Sequence, residues 1–194
     1  MSSLIGVLYR LYNGVFDLLE RLTDGWFLGL ASRLIFAAVL FQFFWNSALT
    51  KIGGSIMNIF TPTSGAYVQM LPKMMEQVSY DISQIAFFPY GLIVLLGTWA
   101  EFILPVMVVI GLFTRAASLG MIVFIIVMSV VDVTGHSVDA KTIGALFDGD
   151  PYSVISDDRL LWIFLLLVPV LKGPGYLSLD TILGSYYRKR EQYY

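Results

Sequence analysis

The sequence predicts an all-α integral membrane protein: a four-helix bundle preceded by an amphipathic helix, with short helical segments in its outer loops and at its C-terminus. Three observations carry this expectation. Hydrophobic residues make up 57 % of the 194-residue chain and charged residues only 13 %, where a soluble domain carries about a quarter charged. Four apolar stretches recur, at 27–49, 87–113, 116–133 and 160–171, each separated by polar or turn-rich sequence. A single carboxylate, Glu101, sits in the middle of the second stretch. The length suits one compact membrane domain. The chain divides into an amphipathic N-terminal helix over 1–26, a membrane domain over 27–183, and a basic, aromatic tail over 184–194.

The first element follows from helical spacing. Leu4, Leu8, Leu11, Val15, Leu18 and Leu22 recur on one side, and Arg10, Asn13, Asp17, Glu20 and Arg21 fall largely on the other. Such a helix is expected to lie along the membrane surface or to pack against the bundle. No basic segment precedes a short apolar core and no small-residue cleavage site follows, so a signal peptide is not expected here.

The first three apolar stretches are long enough to cross the hydrocarbon layer as helices. The fourth is purely apolar for 12 residues, which would cover roughly 18 Å at the helical rise. It must recruit Asp157, Asp158 and Arg159 at its start, sit in a thinned region, or be shielded by its neighbours. Pro169 and Gly173-Pro174-Gly175 mark its end. After that stop, Ser178 is placed to cap a helix over 179–187, with Asp180 favourable in its first turn.

Between the spans, 50–86 and 134–158 form long loops. The segment 55–65 is rich in turn residues. Residues 67–84 read as a short amphipathic helix through Val68, Leu71, Met75, Val78 and Ile82, weakened by Pro72. The second loop is acidic, with Asp139, Asp148, Asp150, Asp157 and Asp158, and reads as a solvated loop rather than a calcium site. With four spans, Arg10, Arg21, Arg33, Arg115, Lys172, Arg188, Lys189 and Arg190 share one side, and Lys51, Lys73, Lys141 and Arg159 the other. Eight basic residues against four place both termini in the cytoplasm by the positive-inside rule.

The candidate functional residues are the polar groups that the membrane penalises. A charge at the bilayer centre costs on the order of 2.5–3.5 kcal/mol even on lenient scales, so Glu101 is expected to face the interior, protonated or paired. Arg33 lies about a third of the way into the first span, and Arg115 begins the third. Either could meet Glu101; Arg115 could instead snorkel to the surface or pair with Asp180. An Arg33–Glu101 pair could order the bundle or line a polar cavity for a quinone, a lipid or a proton, to which Trp99, Trp45 and Asn46 could also belong. The one histidine, His136, follows Asp132 by four residues and precedes Asp139 by three, so a continuing helix would put all three on one face. It is a candidate for interfacial structure, for proton handling, or for contact with a quinone head group.

Several classes are excluded. There is no cysteine and one histidine, so iron–sulfur clusters and bis-histidine haem lack ligands. No metal site is expected. The net charge of −2 gives no reason for nucleic-acid binding. No nucleophile–base pair or phosphate loop is present, so no catalytic residue is assigned.

The chain resembles the DoxX family. The resemblance rests on Ser32-Arg33 opening the first span, Glu101 in the second, the turn Gly111-Leu112-Phe113-Thr114-Arg115-Ala116-Ala117, and the ending Gly173-Pro174-Gly175-Tyr176-Leu177-Ser178-Leu179-Asp180. It covers about 27–183 and implies that Glu101, Arg115 and Asp180 are signature positions. It also implies a four-helix protein of the bacterial inner membrane, linked to quinone-dependent or respiratory oxidoreductase assemblies. On that footing the expected function is an accessory subunit that contacts quinone or lipid and has other membrane proteins as partners. The alternative is a small transporter or channel using Glu101 as its proton or substrate site.

Overall fold

The structure, a computed structural model, describes residues 2–191; all its regular elements are helical. α1 spans Ser2–Thr23, α2 Phe27–Val39 and α3 Phe41–Lys51. α2 and α3 replace the single helix expected over 27–49. Hydrogen bonding nevertheless runs on through the junction: Leu40 N–H donates to Phe36 O, and Leu40 O accepts from Phe44 N–H. α6, Leu92–Ile110, is led in by a wide turn over Phe87–Gly91, and α7 spans Thr114–Thr134. The stretches Phe87–Ile110 and Thr114–Thr134 are each long and apolar enough to cross a membrane. α9, Arg159–Lys172, is the short fourth member, lengthened by a second wide turn over Val154–Asp158.

These helices pack as a bundle. α7 lies against α6 and α9, α2 against α9, and α3 against α6. Phe36, Phe44, Val108, Met121, Ile125 and Leu166 fill the centre, each at most 1 % exposed. The outward residues of the same helices, such as Leu96, Ile103, Leu119 and Ile126, are about half exposed apolar side chains, as a lipid-facing surface requires.

The outer loop folds as α4, Ser64–Met70, and α5, Pro72–Gln77, rather than as one helix over 67–84. The break is at Leu71, with φ −131° and ψ 52°, because the ring of Pro72 crowds the preceding residue out of the helical region. Ala66, Pro72 and Met75 are buried beneath the loop. In the acidic loop, α8 covers Ala140–Ile143 and is capped by Asp139, which accepts the Thr142 N–H at 2.7 Å. That bond holds the Asp139 carboxyl below the usual carboxylate range. Asp148 accepts from Asp150 N–H in the same local manner.

α1 does not pack on the bundle. It bends 66° from α2, and Leu4, Leu8, Leu11, Val15, Leu18 and Leu22 are all exposed. Of the two expectations for this helix, packing against the bundle is corrected: among the described residues its apolar side is uncovered. α10, Leu179–Glu191, is capped by Ser178, whose Oγ accepts from Thr181 N–H at 3.1 Å. Residues 192–194 of the expected tail lie outside the described residues.

The end of the bundle at the α6–α7 turn, termed the inner end, is closed by backbone packing. Gly29 of α2 lies against the Gly173-Pro174-Gly175 stop, and a Cβ there would fall 2.3 Å from Gly173 O and 2.6 Å from Gly175 N. Backbone cannot swing aside as a side chain does. Gly29→Ala is therefore expected to lower stability in detergent by about 1–3 kcal/mol, the usual range for overpacking. Gly14→Ala, whose Cβ would meet nothing within 4 Å, is expected to cost nothing. Equal unfolding midpoints for the two variants would contradict this packing.

Candidate functional site

The buried charges begin on one stripe. Arg33, Phe36, Leu40, Phe44, Ala48 and Lys51 recur at three- and four-residue steps along α2 and α3, and all are buried. The stripe carries a cation at each end, and the two ends are satisfied by different chemistry.

Arg33, 4 % exposed, meets no carboxylate directly. Its Nε donates to Val108 O at 2.9 Å and its Nη2 to Val109 O at 2.7 Å. Nη1 donates to Pro174 O at 3.0 Å, and Nη2 also to Leu177 O at 3.2 Å. Val108 and Val109 are among the last residues of α6, whose carbonyls have no partner within the helix and carry its negative dipole end. Gly111, just past the end of α6 at Ile110, turns the chain at φ +72°, and a Cβ there would come within 2.7 Å of Arg33 Cζ. Asp180 completes this inner knot. Its carboxylate accepts from Phe113 N–H at 2.7 Å, Thr114 N–H at 2.8 Å and Thr114 Oγ1 at 2.7 Å, which satisfies the positive start of α7. Arg115 is exposed, with its guanidinium beside Gly173.

The expected pairing of Glu101 with Arg33 or Arg115 is therefore corrected: the partner is Lys51. Its Nζ lies 2.6 Å from Glu101 Oε2, and the side chains are 5 % and 2 % exposed. Geometry explains the difference. Arg33 is anchored at Val108, seven residues further along α6 than Glu101, which is roughly 10 Å at the helical rise. Lys51 stands at the other end of the stripe and reaches back into the bundle. Its ammonium has three donors; one donates to Ser47 Oγ at 3.0 Å, and the contact with Glu101 is an ion pair without hydrogen-bond alignment.

This pair lines a cavity of about 620 Å³ between α3, α6 and α7, roofed by α4. Gly97, Ala100 and Gly120 leave the space, and Phe124, Val127 and Met128 give it apolar walls. A second ion pair borders it: Arg159, 7 % exposed, donates through Nη2 to Asp132 and through Nη1 to Ser129 Oγ at 3.0 Å. His136 also lines the cavity, with Nε2 at 3.1 Å from Gln69 O. A carbonyl only accepts, so Nε2 is the protonated nitrogen and Nδ1 of the neutral ring is an acceptor.

Of the candidates read from the sequence, Glu101 and His136 come together at this cavity. Arg33, Arg115 and Asp180 belong to the inner end. Trp99 turns away: its Nε1 donates to Ile59 O at 2.8 Å and its ring meets Phe60 edge-on. The expected common face of Asp132, His136 and Asp139 is not formed, because α7 ends at Thr134 and Asp139 caps α8 instead. In the sequence, Lys51 reads as an outer-side charge, and Arg159 as an outer-side charge that the short fourth span could recruit. The buried stripe held the signal for Lys51; Arg159 had none beyond its place at the start of a span that was too short.

A family model described as DoxX matches residues 28–135. The matched segment holds Arg33, Lys51, Glu101, Arg115 and Asp132 and stops before His136, Arg159 and the Gly173–Asp180 ending. No curated protein and no solved structure matches the chain.

Removing one member of a buried ion pair strands the other charge. Lys51→Met is expected to destabilise the protein by about 3–5 kcal/mol. The double variant Lys51→Met/Glu101→Gln, which leaves no charge, is expected to recover most of that loss in detergent unfolding. Additive losses in this cycle would show that the two side chains are not coupled.

Proposed function

The chain belongs to the DoxX family, and from that premise we propose that it is an accessory subunit of a membrane oxidoreductase assembly that holds the head group of a quinone in the cavity beside Lys51 and Glu101. The observation that supports this reading is the cavity itself: about 620 Å³ with largely apolar walls and a charged pair set into one side. Ligand sites have this size and this mixture, mostly apolar with a few placed polar groups.

The chemistry of the polar groups suits a quinone. A quinone offers carbonyl oxygens, which only accept hydrogen bonds. Lys51 gives one hydrogen bond, to Ser47 Oγ, and stands in an ion pair with Glu101, so its ammonium still has N–H to offer such an oxygen. A quinol offers hydroxyl donors, and His136 Nδ1 and the Glu101 carboxylate are acceptors. The same site can thus bind either redox state with little rearrangement.

The electrons must come from a partner. With no cysteine and one histidine, the chain lacks the ligands for an iron–sulfur cluster or a bis-histidine haem. The exposed apolar side of α1 and the folded outer loop supply surface for other subunits. The setting this reading implies is a bacterial inner membrane with both termini in the cytoplasm.

The test is direct binding of a short-tailed quinone to the full chain in lipid nanodiscs. The double variant Lys51→Met/Glu101→Gln keeps the fold but loses a charged donor, a change of about 1.5–3 kcal/mol. Binding is expected to weaken about ten- to a hundredfold. The purified chain alone is expected to show no visible chromophore and no quinol turnover. Undiminished binding by the double variant, or quinol oxidation by the isolated chain at respiratory rates, would overturn the reading.

A further inference from the structure

The cavity is open on its side. Ile93 of α6 and Val123 and Val127 of α7 line it and are also 51 %, 53 % and 55 % exposed on the outer surface of the bundle. They belong to the two stretches long and apolar enough to cross a membrane, so this opening faces acyl chains rather than water.

The shape of the opening follows from where α6 and α7 touch. Leu104 of α6 lies so close to α7 that a Cβ on Gly120 would meet its Cδ1 at 3.1 Å. That contact closes the inner edge of the cavity. One and two turns toward the outer side, Ala100 and Gly97 face the cavity and offer little bulk to close the gap. Above, Met70 of α4 packs over Gly97, where a Cβ would come within 2.8 Å of its Sδ. The result is a lateral window with a helix contact below, a methionine above and branched apolar side chains at its rim.

We propose that this window loads the cavity sideways from the bilayer, and that the ligand carries one long apolar tail which stays between α6 and α7 while its head reaches Lys51 and Glu101. This rests on the reading of the cavity as a quinone site. A ligand dissolved in lipid needs no passage through water, and the apolar rim would repel a free charged solute. The outer roof of α4 and α5, with Ala66, Pro72 and Met75 buried in it, lies over the cavity, and the exposed lining residues there, Gln69 and His136, are polar, so the apolar opening is the lateral one.

The test compares two probes with the same quinone ring, one with a decyl tail and one with a methyl group, on the full chain in lipid nanodiscs. Val127→Trp fills the rim; Ile126→Trp adds the same bulk at an adjacent lipid-facing position, 48 % exposed, that does not line the cavity. Thermal unfolding checks that both variants fold. Val127→Trp is expected to weaken the decyl probe at least tenfold and to leave the methyl probe within twofold, with Ile126→Trp unchanged for both. Equal behaviour of the two variants, or equal weakening of both probes by Val127→Trp, would overturn the window. Failure of either probe to bind the unaltered chain would overturn the quinone reading itself, and the window with it.

Discussion

A charge buried among apolar helices must be answered from within the protein, because lipid offers no hydrogen bond in exchange. Two cations stand on the single buried stripe of α2 and α3, and each organises one end of the molecule. Arg33 gathers four backbone carbonyls from the end of α6 and from the segment after α9. Its planar guanidinium fits this task, since its donors fan out in fixed directions that a lysine ammonium on a flexible stem cannot reproduce. Around it the α6–α7 turn, Asp180 and the Gly-Pro-Gly stop lock against α2. Lys51 instead meets a carboxylate, and that pairing leaves a cavity rather than a closed knot.

The division explains why the signature residues of the family resemblance do not share one role. Gly111, Thr114 and Asp180 form the turn that joins α6 to α7 and anchors α10, so their residue types are dictated by helix ends: a left-handed glycine at a C-terminus and a carboxylate at an N-terminus. Glu101 belongs to none of this. It sits ten residues before Gly111 on α6, beside small residues that leave room for a ligand. A rigid inner end and an open outer half are a reasonable construction for a binding protein: one half holds the helix angles, and the other is free to shape a pocket.

Much of this was legible in the sequence, for identifiable reasons. The apolar stretches 87–113 and 116–133 became α6 and α7 because length and hydropathy leave a membrane segment few alternatives. Ser178 and Asp180 read as a helix start and act as one, although Asp180 also caps α7, a contact that depends on chain segments far apart. The interior position of Glu101 followed from the cost of a lone carboxylate in an apolar run. Its partner did not follow, because pairing depends on how far along neighbouring helices two residues stand. Arg33 was the obvious choice by charge and the wrong one by register. Lys51 falls in the loop expected over 50–86, yet it stands three residues beyond Ala48, itself four beyond Phe44, and that spacing places it on the buried stripe. Trp99 was chosen by residue type, and only the folded loop shows that its indole N–H serves Ile59 O. The break at Leu71 was foreshadowed by Pro72, whose effect reaches the residue before it.

On the proposed reading, the Lys51–Glu101 cavity receives a lipid-dissolved quinone through its membrane-facing side. Photoaffinity labelling in intact membranes tests it without purification or substitution, using a quinone whose tail carries a diazirine close to the ring. Covalent adducts are expected to concentrate on residues 93–101 and 120–132, the facing walls of α6 and α7, and to fade when unlabelled long-chain quinone is added. Adducts spread evenly over the lipid-facing surface, or undiminished by the competitor, would contradict it.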